Sequence, residues 1–489
     1  MKTETYKYQV VQNFIDGKFN INQFNTLEVH SPLDGSLLSS VPISDKASLD
    51  KAVKAAKTAL VDWSAATVKE RVAIFYAYRN LLIENLDRLS NLICEENGKT
   101  YGEAKAEVEK SIELTEFACS MPQMVGEEVL EVSRGVECRI ERRPVGVVAS
   151  ITPFNFPSMV PHWSIPNALV LGNTMIVKPS EKVPLSLVEI AKLLKQAGLP
   201  DGVFNIVNGD KAIVEAICDH PDIHAISFVG STHVAKSVYI RGTSNLKRVL
   251  ALGGAKNHLI VLPDAHLEMT ASNVLASVTG CAGQRCMAAS AMVAVGNSDP
   301  VIDKICEEAR KMIPGQNLGA VISKEAKERI EKYITEAEEQ GAKVLVDGRN
   351  AKVKDKENGS YVGPTIIDGV TPDMAIAKEE VFGPVLAILR SNNLKEALNI
   401  ENSNPYGNAA SVFTQNGAAA RQMIDKASAG MIGINIGVPV PREPFSFGGW
   451  NESKFGALDI TGKSSIEFWT QLKKVTTKWN PEAGVNWMS

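Results

Sequence analysis

The chain changes its hydrophobic period at Val145 and keeps the new one for most of its remaining length. Short apolar runs at Val145–Ile151, Thr174–Val177, Val203–Val207, Ala225–Val229 and His258–Leu262 read as buried strands. Helical segments lie between them, clearest at Leu185–Gly198, which Pro184 precedes and Gly198 with Pro200 ends. Such alternation predicts βαβ units, because parallel neighbours need a crossover and the crossover is usually a helix. A parallel sheet built this way takes ligands at the carboxyl ends of its strands. A second alternating set runs from about Met269 to Phe455. Its predicted helices are Val301–Met312, Lys324–Gln340 and Gly417–Ala429, and its strands Val344–Val346, Val385–Leu389, Ser411–Thr414 and Met431–Ile436. The break between the sets falls near Leu252-Gly253-Gly254.

Before Val145 the pattern differs. Residues 8–42 read as short strands with turns at Asp16-Gly17 and Asp34-Gly35. Helical spacing follows over Ser44–Leu60, Lys69–Leu92 and Gly102–Cys119. Residues 127–143 alternate about Arg134-Gly135, as a β-hairpin would. The stretch Ser465–Trp479 alternates too and is expected to pair with that hairpin, within or between subunits. The 489 residues exceed what one hydrophobic core organises, so about two or three domains are expected.

Hydrophobic residues make up 44% and charged residues 22%, as in ordinary globular proteins. A formal net charge of −4 argues against nucleic-acid or anionic-membrane partners. Seven scattered cysteines, an odd number, form no disulfide framework and fit a reducing compartment. The first residues lack an apolar signal core, and no run is long and clean enough to span a bilayer. A cytoplasmic protein is the expectation.

One stretch carries candidate chemistry: Thr279-Gly-Cys-Ala-Gly-Gln-Arg-Cys286-Met-Ala-Ala289. Glycine allows a tight turn, and Ala288 and Ala289 leave room beside the Cys286 sulfur. The loop suits a nucleophilic thiol facing a pocket, although a buried inert cysteine is the commoner case. Other patterns carry less. Gly456 to Lys463-Ser464 has one residue too many between its glycines for a phosphate-binding loop. No complete GxGxxG and no GxSxG occurs, and the histidines show no zinc spacing, so no metal site is expected.

Seven stretches in order resemble the NAD(P)-dependent aldehyde dehydrogenase superfamily: Pro153-Phe-Asn-Phe-Pro157, Lys178-Pro-Ser-Glu181, Phe228-Val-Gly-Ser-Thr232, Leu252-Gly-Gly254, Gly283-Gln-Arg-Cys286, Glu379-Glu-Val-Phe-Gly-Pro384 and Pro444-Phe-Ser-Phe-Gly-Gly449. Within it, Gly254-Ala-Lys-Asn-His258 and Gly437-Val-Pro-Val-Pro-Arg442 look most like the methylmalonate-semialdehyde branch, which forms acyl-coenzyme A. The resemblance implies an α/β fold with a Rossmann-like NAD-binding domain (1–126 and 144–252), an α/β catalytic domain (253–460) and a small β bridging element (127–143 and 461–489). It also implies a homo-oligomer, dimer or tetramer.

By the same resemblance Cys286 is the nucleophile, and Asn155 donates to the oxyanion that forms on the substrate. Lys178 and Glu181 hold the adenosine ribose, and Glu181 favours NAD over NADP. Gly230 and Ser231 sit by the pyrophosphate at a helix N-terminus. Glu380 holds the nicotinamide ribose, with Phe382 and Phe154 beside the cofactor. Arg285 resembles a guanidinium that binds a substrate carboxylate, and Lys110 stands where the branch has a second arginine. Hydrolytic members carry a glutamate base before Leu-Gly-Gly; this chain has Ala251 there, which points to acyl transfer to coenzyme A instead of water. The expected activity is therefore NAD-dependent oxidation of a small acid semialdehyde of the methylmalonate or malonate type, with coenzyme A as co-substrate. The alternatives are a non-acylating semialdehyde dehydrogenase that releases the free acid, and a non-catalytic binding protein on the same fold.

Overall fold

Val147–Ile151 is buried at every position, as a strand covered on both faces must be. It lies inside an eight-stranded sheet in the computed structural model, which describes residues 6–20, 24–126 and 128–479. The order is Lys18–Asn20, Asn13–Ile15, Phe204–Ile206, Thr174–Lys178, Val147–Ile151, Ala225–Val229, Arg248–Leu252, Lys454–Phe455. The five middle strands run parallel, and the strands at both edges are antiparallel. Succession along the chain reverses between Val147–Ile151 and Ala225–Val229, and a reversal of this kind opens a crevice at the carboxyl ends. One face packs Leu49, Ile213, Val238 and Ala251 under the helices Lys46–Ala65, Lys211–Asp219 and Thr232–Ser244. The other packs Phe75, Trp163, Leu187 and Leu252 under Val68–Glu84, Met159–Val170 and Leu185–Gln196.

A second sheet has the order Lys343–Val346, Thr365–Asp368, Val385–Ser391, Ala289–Val295, Asn257–Val261, Ala409–Phe413, Met431–Ile434. All its neighbours are parallel except the first pair. Both α/β layers expected from the alternation are present. The strand expected at His258–Leu262 is Asn257–Val261, and it belongs to the second sheet. The strand that extends the first sheet is Arg248–Leu252, which the apolar pattern hid because Lys247 and Arg248 open it.

Two segments depart from expectation. Lys69–Leu92 forms two helices, Val68–Glu84 and Leu86–Asn97. Asn85 lies between them, and its side-chain amide donates to the Leu81 carbonyl, a local bond that competes with helix continuation. The tail is not extended from Ser465. Gly462–Trp469 is a helix that buries Ser465, Ile466, Phe468 and Trp469, and the strand begins at Thr470. Thr470–Lys478 then pairs antiparallel with Val136–Pro144, from Thr470 opposite Pro144 to Lys478 opposite Val136. The hairpin partner Glu128–Ser133 completes a three-stranded sheet, so tail and hairpin pair within one chain. Of the expected bridging element, residues 127 and 480–489 lie outside the described residues, as do 1–5 and 21–23 of the N-terminal segment.

Candidate active site

The nucleophile loop owes its shape to three successive left-handed residues, Cys281, Ala282 and Gly283, at φ 53°, 51° and 71°. Residues with a Cβ adopt this region at a cost, so the loop must be held by its surroundings. Gly283 has no alternative: a Cβ there would stand 2.0 Å from the Gly383 carbonyl oxygen. Gln284 fastens the next residue, its side-chain oxygen accepting from Ile322 N–H at 2.9 Å. The Cys286 carbonyl accepts from both Asn257 Nδ2 (2.7 Å) and Asn408 Nδ2 (2.9 Å). The turn buries Cys281 and leaves Cys286 half-buried on a cavity wall. Cys281 does not line that cavity. All seven cysteines are free thiols.

The cavity measures about 680 Å³ and occupies the crevice at the carboxyl ends of Val147–Ile151, Thr174–Lys178 and Ala225–Val229. Phe154, Asn155, Lys178, Glu181, Gly230, Ser231, Cys286, Glu380 and Phe382 all line it. Asn155 is 6% exposed, and its Nδ2 donates to the Gln284 carbonyl at 3.0 Å, which ties it to the thiol's own loop. The Phe154 and Phe382 rings meet edge to face at 5.8 Å. Phe382 is left-handed at φ 56°, rare for an aromatic residue.

Charge is distributed unevenly along the cavity. Burial first, and then the Glu380 carboxylate, push the Cys286 thiol up to about 12. Burial likewise raises Glu380 to about 7, against the Ala255 N–H bond and the charges of Lys256 and Arg329. Glu380 Oε1 accepts from Ala255 N–H at 3.1 Å. Gly254 makes this approach possible, since a Cβ there would lie 2.5 Å from Glu380 Oε2. At the far end, Lys178 pairs with Glu181 at 3.0 Å. Burial works against the Glu181 charge, but Lys178 and Lys182 outweigh it and hold the carboxyl below its usual range. Ser231 caps the helix Thr232–Ser244 with no side-chain bond to its own backbone, so its hydroxyl and the first N–H groups of the helix stay available to an anion.

The two expected substrate residues lie elsewhere. Arg285 donates to the carbonyls of Ala276 (2.6 Å) and Ser277 (3.0 Å) at the end of the helix Leu267–Thr279. Lys110, on the helix Tyr101–Cys119, pairs with Glu443 at 2.7 Å and Glu113 at 3.0 Å. Neither lines the cavity. Ala251, where hydrolytic members carry the base, is a buried alanine and brings no carboxylate to the site. Its methyl packs in the cluster with Phe228 and Val238, which line the same cavity as Cys286. Leu252 is the residue whose side chain shares a cluster with Met287 and Cys286. The sequence reading also missed Trp163, Lys211, His233 and Arg329 on the cavity wall, for which no local motif gave a signal. Among the described residues, no group of His, Cys, Asp or Glu could hold a metal ion, and no helix is long and apolar enough to cross a membrane.

A half-buried thiol, an amide beside it and a helix N-terminus share one crevice, and residues 20–475 match the aldehyde dehydrogenase family. The chain belongs to that family. It is 44% identical over 479 residues to malonate-semialdehyde dehydrogenase 1 of Geobacillus kaustophilus, covering 96% of this chain and 98% of that protein. It is 43% identical over 480 residues to the rat mitochondrial methylmalonate-semialdehyde/malonate-semialdehyde dehydrogenase (acylating), covering 96% and 90%. The fold matches the methylmalonate-semialdehyde dehydrogenase DddC of Oceanimonas doudoroffii with a TM-score of 0.95, at 40% identity, over 97% of this chain and 99% of that one. A putative methylmalonate-semialdehyde dehydrogenase from Sinorhizobium meliloti 1021, solved with NAD, matches equally, with a TM-score of 0.95 and 40% identity over the same shares. The aldehyde dehydrogenase fold expected from the motifs is therefore the fold of this chain.

Proposed function

We propose that this aldehyde dehydrogenase oxidises malonate or methylmalonate semialdehyde with NAD and passes the acyl group to coenzyme A. The observation that carries the reading is a Cys286 thiol and an Asn155 amide at one end of a dinucleotide-sized crevice, with alanine at 251 where hydrolytic members carry their glutamate base. Of the carboxylates that line the crevice, Glu380 is the one that acts on the thiol. The printed name of the rat relative, which calls it acylating, points the same way.

The Cys286 thiol releases its proton to solvent, the sulfur bonds to the aldehyde carbon, and the carbonyl oxygen takes the negative charge. The Asn155 Nδ2 and the Cys286 backbone N–H donate to that oxygen. NAD, when bound, accepts the hydride that leaves the same carbon. Lys178 and Glu181 would hold its adenosine ribose, Gly230 and Ser231 its pyrophosphate, and Glu380, Phe382 and Phe154 its nicotinamide half. The acyl group is left as a thioester on Cys286. The coenzyme A thiolate then bonds to the acyl carbon, the bond to Cys286 breaks, and the enzyme thiolate is restored. Arg285 and Lys110 are the cations proposed for a substrate carboxylate, and each would have to leave its present partners outside the cavity to reach it.

The wider organisation is read in the same terms. Residues 1–126 and 144–252 serve the cofactor, 253–460 the nucleophile, and 127–143 with 461–489 bridge subunits. Val129, Leu130 and Val132 lie exposed on the edge strand Glu128–Ser133, which supports a homodimer or homotetramer. Free cysteines support a reducing cytoplasm.

The test is an NADH and product assay on malonate and methylmalonate semialdehydes, with and without coenzyme A. Acyl-coenzyme A as the product, with turnover that depends on coenzyme A, is expected. Equal turnover to free acid without coenzyme A would assign the non-acylating reaction.

A further inference from the structure

The Pro153–Pro157 loop belongs to neither sheet nor helix, so its carbonyls need partners from elsewhere. A single segment supplies two. Asn97 Nδ2 donates to the Phe154 carbonyl at 2.8 Å, and Lys99 Nζ donates to the Asn155 carbonyl at 2.6 Å. The Lys99 ammonium also lies 3.8 Å from the centre of the Phe156 ring and pairs with Glu107 on the helix Tyr101–Cys119. Glu107 in turn accepts from the N–H groups of Ser158 (2.8 Å) and Met159 (3.1 Å), where the loop enters its helix. The loop is therefore gripped on both sides of Phe156, by a cation on a carbonyl and an anion on two amides.

The side chains of Lys99 and Glu107 are 2% and 0% exposed. Burying an ion pair this deeply is expensive, and an apolar pair of similar volume would often serve stability as well. What the charges add is direction. Each fixes backbone groups of the loop from which Asn155 reaches Gln284, in the nucleophile's own loop. The same helix start reaches the other wall, where a Glu103 carboxylate oxygen accepts from the Cys281 N–H. None of Lys99, Glu103 and Glu107 lines the cavity.

From this geometry we infer that Lys99 and Glu107 are positioning residues for the oxidation: the pair fixes the peptide that carries Asn155 and so aims its amide beside Cys286. The inference rests on Asn155 being the oxyanion donor. A misplacement of about 1 Å in such a group costs on the order of 10²-fold in rate, which sets the size of the expected effect.

The test is a double-mutant cycle on the full-length enzyme, with Lys99→Met/Glu107→Gln as one change, so that no buried charge is left unpaired, and Asn155→Ala as the other. The readouts are kcat and KM for the semialdehyde, and NAD affinity by fluorescence. The paired change is expected to lower kcat by about 10–10²-fold while NAD affinity stays within about twofold. In the Asn155→Ala background it should cost less than about threefold, because the residue it aims is gone. An unchanged kcat, or the same loss in both backgrounds, would overturn the inference. Full kcat in Asn155→Ala alone would instead overturn the donor reading beneath it, and it is seen without touching the pair. If the paired variant fails to fold, Glu107→Gln alone, which keeps an amide oxygen for the Ser158 N–H, carries the same comparison.

Discussion

The two ends of the crevice handle charge in opposite ways. At the Glu181 end the carboxylate is kept ionised by Lys178 and Lys182 before any ligand arrives. At the Cys286 end burial drives groups toward neutrality: the thiol to about 12, Glu380 to about 7 and the buried Lys256 amine to about 7. The Lys256 Nζ has no hydrogen-bond partner among the described residues. An anchoring end with its charges already paired holds a ligand in a fixed register. A reacting end of low polarity strengthens whatever charges form or arrive there. The difference teaches that the thiol at rest is protonated and waits for its partners, whereas the ribose anchor is ready in advance.

The sharpest way to break this contrast is at the thiol itself. Cys286→Ser should abolish aldehyde oxidation and leave NAD affinity nearly unchanged, because a serine hydroxyl is far less ionised than a thiol. Cys281→Ser should remain active, since that sulfur is buried behind the loop. Loss of activity in Cys281→Ser alone, in steady-state assays, would place the reacting end elsewhere.

A second pair of variants sets the two sheet faces against each other. Ala251→Glu should destabilise the fold by about 3 kcal/mol or more in denaturant titrations, because it buries a carboxyl, and it should shift some product toward free acid by restoring a carboxylate where hydrolytic members carry their base. Leu252→Glu puts the carboxyl on the opposite face of the strand and should yield no extra free acid. Free acid from the Leu252 variant, and none from the Ala251 variant, would show that the strand presents its other face to the thiol.

The pH dependence follows from the raised thiol. Below its pKa the thiolate fraction rises with pH, so alkylation of Cys286 in the cofactor-free enzyme should accelerate about tenfold per pH unit between roughly pH 7 and 9. A plateau in that range, read by peptide mass after iodoacetamide, would mean the reacting end already carries a compensating positive charge. The smallest effect is expected at the anchor. Glu181→Gln should narrow the preference for NAD over NADP by less than about tenfold, since one repulsion is removed and the ribose bonds partly remain. An unchanged ratio of kcat/KM values would detach Glu181 from cofactor choice.

Much of the reacting end was legible in the chain, because close packing leaves marks in composition. Gly283 stands where no Cβ fits, small alanines follow Cys286, and Pro153 and Pro157 bracket Asn155. The two alternating sets gave both parallel sheets because strands covered on both faces are mostly apolar. What stayed hidden depends on geometry across the fold. Lys99 and Glu107 look like solvated charges in sequence and are buried in space. Phe382 gives no sign of its left-handed backbone. Asn85 divides a helix whose apolar spacing runs on through it.

The most direct test is to mix enzyme, NAD and methylmalonate semialdehyde without coenzyme A, quench in acid within the first turnover, and weigh the Cys286 peptide. An acyl adduct on that peptide, formed with a burst of NADH and discharged when coenzyme A is added, is the expected result. A bare Cys286 peptide during rapid, steady NADH formation would contradict it.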